Sequence, residues 1–350
     1  MINNKPTIHQ IAEALKISSA TVSRALNNSE ARVSIETRQK VKKMADKMGY
    51  QPNVVASSLR RGHSNIIGII VPFIDRVFFS SVIRGVEEEV KKHGFNIIIC
   101  QSYEKIENEK EDVDTLLSAQ VAGILISPSR ETWSDVDHLL KVINSGKTLV
   151  MFDRTIKTVP ASSVTVDDFQ GAYDMVTHLI NNGCRKIACF YGNPNVSVFN
   201  ERRRGFKSAM HDNNIDISED FLVRVPSDIE EGKKAAEKLM SLNESPDAIF
   251  SCSDFSALGA MQWLKANNYR IPQDVSIAGF GNDPFTSFIT PTMTSIDQKS
   301  IAMGRSAAQL FLKEMKSNNQ EHRRVLLPAK LILRESTMPS VHEQLAEPLN

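Results

Sequence analysis

Arg24 closes a short run, Ser19-Ala20-Thr21-Val22-Ser23-Arg24, in which small and hydroxyl-bearing side chains precede a guanidinium. On a helix Val22, Ala25 and Leu26 share one face, while Ser19, Ala20, Ser23 and Arg24 fall on the opposite one. Small residues at the leading edge of such a face let the backbone approach a duplex closely. The guanidinium behind them can reach a phosphate or a guanine edge, because the major groove admits one helix and displays paired acceptors there. The competing reading of Arg24 is a solvated surface charge.

A helix that reads a groove must be held by others. Thr7 precedes Ile8, Ile11, Ala12 and Leu15 with Gln10 three places after it, which predicts a capping box opening one apolar helical face. Lys16-Ile17-Ser18 interrupts the pattern, and the reading helix follows over about Ser19 to Leu26. Ser34 is expected to cap a third helix containing Val41, Ala45 and Met48, which Gly49 ends. Its outer side carries Arg38, Lys40, Lys42, Lys43 and Lys47, within range of phosphates.

Charge placement supports the same division. Residues 1–64 hold 11 Lys and Arg against 4 Asp and Glu, whereas the rest hold 31 against 37, an asymmetry hidden by the whole-chain charge of +1. A positive module beside a mildly acidic body suits a polyanion at one end only. The 350 residues, 41 % of them hydrophobic, predict two or three domains with full-sized cores. The longest apolar stretches, such as Ile66 to Phe73, fall far short of a membrane span, so no membrane partner is expected. MINNKPTIHQ carries no secretory apolar run, which predicts a cytoplasmic protein. Cys100, Cys184, Cys189 and Cys252 lack ligand-like spacing and are expected to be single thiols in strands.

The residues from 7 to 61 resemble the DNA-binding domain of the lac repressor (LacI/GalR) family. The motifs that carry the likeness are Ala20-Thr21-Val22-Ser23-Arg24, Leu26-Asn27-Asn28, and Gly49-Tyr50-Gln51-Pro52-Asn53 followed by Ala56, Ser58 and Leu59. The resemblance implies that Ser19, Ala20 and Arg24 read operator bases and that Thr21 and Ser23 contact phosphates, with Thr7 and Asn27 also at the DNA. Lys16 departs from the glycine usual in the family's turn, at a conformational cost. Pro52 to Arg60 is too short to hold a helix alone in water. In the family this segment is a hinge helix that folds when a dimer meets DNA and inserts a leucine into the minor groove. Leu59 matches the wedge, with Asn53, Ala56 and Arg60 as its companions in the hinge, and such a wedge exchanges base stacking for protein contacts. The alternative for Leu59 is a staple between linker and core.

Beyond Ser64 the rhythm changes. Strand-like runs over Ile66 to Val71, Asn96 to Cys100, Gly123 to Ile126 and Thr148 to Phe152 alternate with helical stretches, and a second series begins near Ser163. Continuous apolar strands separated by helices predict parallel sheets covered on both faces, and two such units place a ligand between them at the strands' carboxyl ends. This body resembles the family's periplasmic-binding-protein-like core. The implied fold class is therefore an N-terminal all-α helix-turn-helix domain plus hinge, joined to an α/β periplasmic-binding-protein-like two-lobed core. The expected divisions are 1–50 for the DNA-binding domain and 51–64 for the hinge. Lobe 1 is expected at 65–161 plus 298–323 and lobe 2 at 162–297 plus 324–338, with crossings near Ser162, Asp297 and Arg324. Residues 339–350 read as a polar tail.

Polar residues at strand ends are candidate effector contacts: Asp75, Arg76, Asp153, Arg202, Ser253 and Asp254, with Asp167 as a further strand-end carboxylate. Arg202 matches the arginine that clamps a sugar hydroxyl or carboxylate in relatives, its competing role being a surface ion pair. Asp153 and Asp167 divide equally between ligand contact and loop anchoring. Phe73, Phe78 and Trp133 are candidates for an aromatic wall or for ordinary packing. Sugar-responsive relatives often carry an aspartate where this chain has Gly281, which removes a two-oxygen acceptor that Asn282 or Asp283 is placed to replace.

The implied function is a sequence-specific regulator of transcription, a homodimer on a palindromic operator that represses carbohydrate-use genes under a sugar or sugar-derivative effector, with no cofactor and no metal. The alternative is an activator or dual regulator with a nucleoside or purine effector. An exported solute carrier does not account for the basic module. The eight histidines show no metal spacing, and GxSxG, Walker A and Rossmann glycine signatures are absent, so no enzyme is expected. The last residues lack a leucine heptad, which favours a dimer over a tetramer built on a terminal coiled coil.

Overall fold

The computed structural model describes residues 6–26, 33–50, 64–317 and 321–338. The chain divides into two compact units, Met1–Ser64 and Asn65–Asn350.

The first unit holds three helices, α1 (Ile8–Leu15), α2 (Ser19–Leu26) and α3 (Ile35–Met48). Their ends follow from local chemistry. The Thr7 backbone N–H donates to Gln10 Oε1 at 2.8 Å and the Gln10 N–H returns to Thr7 Oγ1 at 3.4 Å, so two orphan amides are satisfied reciprocally. Ser34 Oγ accepts from the Thr37 N–H, and Gly49 closes α3 at φ 65°. Lys16 closes α1 in the same left-handed region, at φ 52°. Ile11, Ala12, Val22, Ala25, Val41 and Ala45 form the buried centre, with Leu26 half-buried beside them. Each large side chain fully buried here contributes ~1.5–3 kcal/mol, so α2 depends on its neighbours to exist as a helix.

In the second unit, β1 (Ile66–Val71), β2 (Asn96–Gln101), β3 (Gly123–Ile126), β4 (Thr148–Phe152), β5 (Ser162–Val166) and β11 (Arg324–Leu327) make one sheet in the order β11-β5-β4-β3-β1-β2. Every neighbouring pair in it is parallel. Ile67, Ile69 and Val71 face α4 (Val77–Lys91) and α11 (Ser300–Lys316). Ile70 packs on the opposite face with α5 (Ile106–Ser118) and α6 (Asp137–Asn144). The two helices of the first layer approach closely at Gly85 and Gly304, where an added Cβ would run into the Ile301 and Val82 carbonyl oxygens.

A second parallel sheet, in the order β7-β6-β8-β9, contains β6 (Ile187–Tyr191), β7 (Leu222–Arg224), β8 (Ala248–Ser251) and β9 (Ser276–Ala278). It lies between α7 (Asp168–Asn181) with α8 (Ser197–Asp212) on one face and α9 (Ile229–Met240) with α10 (Asp254–Ala266) on the other. Strands β10 (Ser295–Asp297) and β12 (Lys330–Ile332) form an antiparallel pair. α11 packs on the first sheet beside α4.

Two expected crossings move. β5 pairs with β4, and β11 pairs with β5, so residues 162–166 and 324–327 extend the first sheet where they were expected to enter the second lobe. The reason is hydrogen bonding: Ser163 N–H donates to the Arg323 carbonyl and Asp167 N–H to the Leu327 carbonyl, which ties these two strands together along their length. The chain leaves the first sheet only beyond Val166 and Leu327.

Candidate functional site

In the first unit α2 is capped by Ser18, whose Oγ accepts from the Thr21 N–H at 3.1 Å and lies 2.8 Å from Thr21 Oγ1. Ser19 Oγ lies 3.0 Å from His9 Nδ1, which fastens α2 to α1. Val22 and Ala25 are fully buried, and Ala20 and Arg24 are exposed on the other side. Thr7 is exposed with its side chain committed to the cap, and Thr21 and Ser23 are half-buried. Lys40 is paired with Glu36 at 2.7 Å, a contact between two exposed side chains that solvent screens. Ser18 and His9 were not singled out from the chain. A serine ahead of a short apolar period was the available signal for the first, and none existed for the second. Asn27, Asn53, Ala56, Leu59 and Arg60 lie outside the described residues.

In the second unit a cavity of ≈ 430 Å³ opens at the carboxyl ends of both parallel sheets. Its walls come from the loops after β1, β2, β3 and β4 on one side and after β6, β7, β8 and β9 on the other. The strand order reverses about β1 and about β6, the positions where α/β sheets leave a crevice. Phe73, Arg76, Phe78, Asp153, Arg202, Ser253 and Asp283 all line it.

Arg202 is buried at the centre. Nε donates to Asp168 Oδ1 at 2.7 Å, Nη1 to the Cys252 carbonyl at 2.9 Å and Nη2 to Gln298 Oε1 at 2.9 Å. Its guanidinium lies 3.8 Å from the Phe280 ring centroid. Three of its five N–H groups are therefore committed, and the remainder belong to a planar fork that is already oriented. Burial pushes the Asp168 carboxyl up to about 7 against the opposing pull of Arg202.

Asp153 sits in the left-handed region at φ 62°, and burial raises its carboxyl against Arg154 and Arg202. Ser127 Oγ donates to it at 3.3 Å. Arg154 grips Glu104 with two parallel bonds of 2.8 Å, and this attraction overcomes burial to hold Glu104 below its ordinary value. Glu104 itself has φ 61° and accepts from the Arg130 N–H. With Tyr103 at φ 54°, three strained backbone positions sit on one wall, Glu104 held by charge-assisted bonds and Asp153 by a hydroxyl.

Three expected contacts are not among the lining residues. Asp254 is fully buried behind the wall, accepting from Ser295 Oγ at 2.6 Å and the Asp283 N–H at 2.8 Å, and burial lifts it to about 7. Asn282 turns to Arg334, whose Nη2 donates to its Oδ1 at 2.8 Å. Asp75 is exposed in the loop ahead of α4, outside the cavity. Trp133 is 56 % exposed and does not line this cavity. Asp167 caps α7 by accepting from the Gln170 N–H. Ser253 lines the cavity while its Oγ accepts from the Phe255 N–H.

Gly281 has φ 142°, and a Cβ there would lie 3.0 Å from Asp254 Oδ2 and 3.2 Å from Asp283 Oδ2. The Asp283 carboxylate therefore occupies the space beside residue 281 and supplies an acceptor from two positions further along the chain. Lining residues not anticipated include Tyr103, Glu104, Arg130, Arg154, Arg224 and Gln298. Their only sequence signal is position at or just beyond the end of a strand, shared with many loop residues.

A three-helix reader followed by a two-lobed α/β body with a cleft at the switch points defines a ligand-responsive DNA-binding regulator. Residues 7–53 match the family described as bacterial regulatory proteins, lacI family, and residues 176–337 match a periplasmic binding protein-like domain. The HTH-type transcriptional repressor CytR of Escherichia coli (strain K12) is 32 % identical over 331 residues, covering 95 % of this chain and 96 % of CytR. The chain belongs to the LacI family of DNA-binding transcriptional regulators, which are not enzymes. Among solved structures, a complex of the transcriptional regulator CelR with cellobiose is similar at TM-score 0.71 and 25 % identity, covering 95 % of this chain and all of CelR. The lac repressor dimer bound to operator and the anti-inducer ONPF shares the fold at TM-score 0.85 and 22 % identity, over 96 % of this chain and all of that one. No helix among the described residues is long and apolar enough to cross a membrane.

Proposed function

We propose that this regulator represses carbohydrate-use genes as a homodimer on a palindromic operator and is controlled by a sugar or sugar derivative held in the cavity. The observation that carries the reading is the face of α2 on which Ala20 and Arg24 are exposed opposite the buried Val22 and Ala25. Ser19, Ala20 and Arg24 are assigned to base edges, and Thr21, Ser23, Thr7 and Asn27 to phosphates or their vicinity. Two-fold symmetry of the protein requires a matching symmetry of the site. Asn53, Ala56, Leu59 and Arg60 are assigned to a hinge that folds only when two chains meet on DNA.

The effector assignment draws support from the cavity's mixture of aromatic rings and charged fork-like groups, and from cellobiose being the ligand of CelR. A ligand that favours a lobe arrangement unsuited to paired hinges lowers operator affinity by its differential affinity for the two arrangements. The test is selection of genomic fragments by the purified protein, followed by release from the selected site by a sugar library at fixed salt. A palindromic site freed by a sugar supports the proposal. A site indifferent to every sugar, or without internal symmetry, overturns it.

A further inference from the structure

Five guanidinium groups line the cavity: Arg76, Arg130, Arg154, Arg202 and Arg224. Arg154 is taken by Glu104 and Arg202 by Asp168. Among the described residues, Arg76, Arg130 and Arg224 have no ion-pair partner within 4.0 Å. Arg130 and Arg224 are exposed, one after β3 in the first lobe and the other at the end of β7 in the second. Arg76 reaches from the first lobe toward the second, with Nη2 3.5 Å from the Ser227 carbonyl and its guanidinium 4.4 Å from the Phe255 ring centroid.

The lining carboxylates do not balance these three groups. Glu104 is ion-paired with Arg154 while also lying in the field of Arg130, and Asp153 lies 3.7 Å from the Arg154 guanidinium. Asp228 caps α9 by accepting from the Glu230 and Glu231 N–H groups. It remains a carboxylate there, so with Asp283, which sits in the field of Arg76, two lining carboxylates stand against the three guanidinium groups. A ligand enclosed by the two lobes strips water from the arginines around it, and a desolvated cation is costly unless an anion meets it. A neutral sugar offers only hydroxyl oxygens to that surplus.

We infer that the ligand of this cavity is an acidic sugar, whose carboxylate or phosphate is received by Arg76, Arg130 and Arg224 while its hydroxyls meet Asp283 and Arg202. The inference rests on the reading of the cavity as a sugar-effector site and narrows it. Both anionic groups present planar or fork-compatible oxygens to guanidinium N–H pairs, and the geometry does not require one over the other.

The test is calorimetric titration of the full-length protein with matched probes: glucuronate against glucose, digalacturonate against cellobiose, and glucose 6-phosphate and ribose 5-phosphate against glucose and ribose. The proposal expects an acidic member to bind at least tenfold more tightly than its neutral counterpart, with uronate or phosphate preference identifying the anion. It also expects Arg130→Gln and Arg224→Gln, both surface changes, to remove most of that preference, and Arg→Lys to restore part of it. Equal or tighter binding of a neutral member, lost in Arg202→Ala, overturns the acidic assignment and leaves the sugar reading standing. Acidic preference unchanged in both Gln variants also overturns it. Binding by no probe overturns both readings.

Discussion

Arg202 Nε lies 2.7 Å from Asp168 Oδ1, with both side chains 5 % exposed, and the same guanidinium lines the cavity. The buried carboxylate holds the fork in place where it lines the cavity. Arg202→Ala is expected to weaken effector binding at least about tenfold, the scale of losing hydrogen bonds to a charged group. Operator affinity without effector should hold. Titration of effector and operator separately checks this, and lost operator binding with normal effector binding contradicts it. Because the orphaned Asp168 can take a proton, the variant should be less destabilised at pH 6 than at pH 8.

Asp168 and Asp254 give the body a pH signature. Their folded values, raised by burial to about 7, lie above the ordinary carboxylate value of about 3.9. Between those limits the folded chain holds protons that the unfolded chain has released. Stability from these two groups is therefore fully present below about pH 4 and is lost as pH rises through about 7. Denaturant midpoints measured from pH 5 to 7.5 should show a shallower fall in Asp168→Asn and Asp254→Asn than in the parent. Parallel slopes would show that neither group holds its proton.

Arg24→Ala tests the exposed face of α2. Val22 and Ala25 hold the helix from the other side, so the truncation should leave the fold intact. A good contact to a base edge discriminates by ~1–3 kcal/mol. The ratio of operator to random-DNA affinity should accordingly fall by roughly tenfold at constant salt. An equal loss on both DNAs would make Arg24 a phosphate contact.

The reader was legible because its determinants are local. Thr7 with Gln10, Ser34 and Gly49 act within four residues of where they stand, and the apolar period of each helix is continuous. The body's strands were legible for the same reason, but their sheet membership was not: an apolar run such as 162–166 suits either sheet until its partner is known. In the cleft, Arg202 lines the cavity, and no spacing in the chain marks Asp168 as its anchor. The strand-end Asp167 drew attention, yet it caps α7, and its neighbour Asp168 turns inward to the guanidinium. Glu104 and Arg154 are 50 residues apart, so nothing in the chain's spacing reveals their pairing. Asp254 sits at a strand end like a ligand contact and is instead bound by Ser295 and Asp283.

Lys16 offers the last test, on the link between local strain and reader stability. It closes α1 at φ 52°, where a side chain's Cβ crowds the backbone at a cost of ~1–2 kcal/mol. Its N–H still reaches the Ala12 and Glu13 carbonyls, so the position is needed to end the helix and only the residue type is unfavourable. Lys16→Gly removes the crowding while adding freedom to the unfolded chain, which offsets about half of the gain. The net expectation is up to about 1 kcal/mol of added stability in the three-helix unit. Hydrogen exchange of the α1–α3 amides in the full chain reads it as slowing of up to about fivefold, with the exchange of the α/β body unaltered. Unchanged or faster exchange in α1–α3 would show that the lysine's other contacts outweigh its backbone strain.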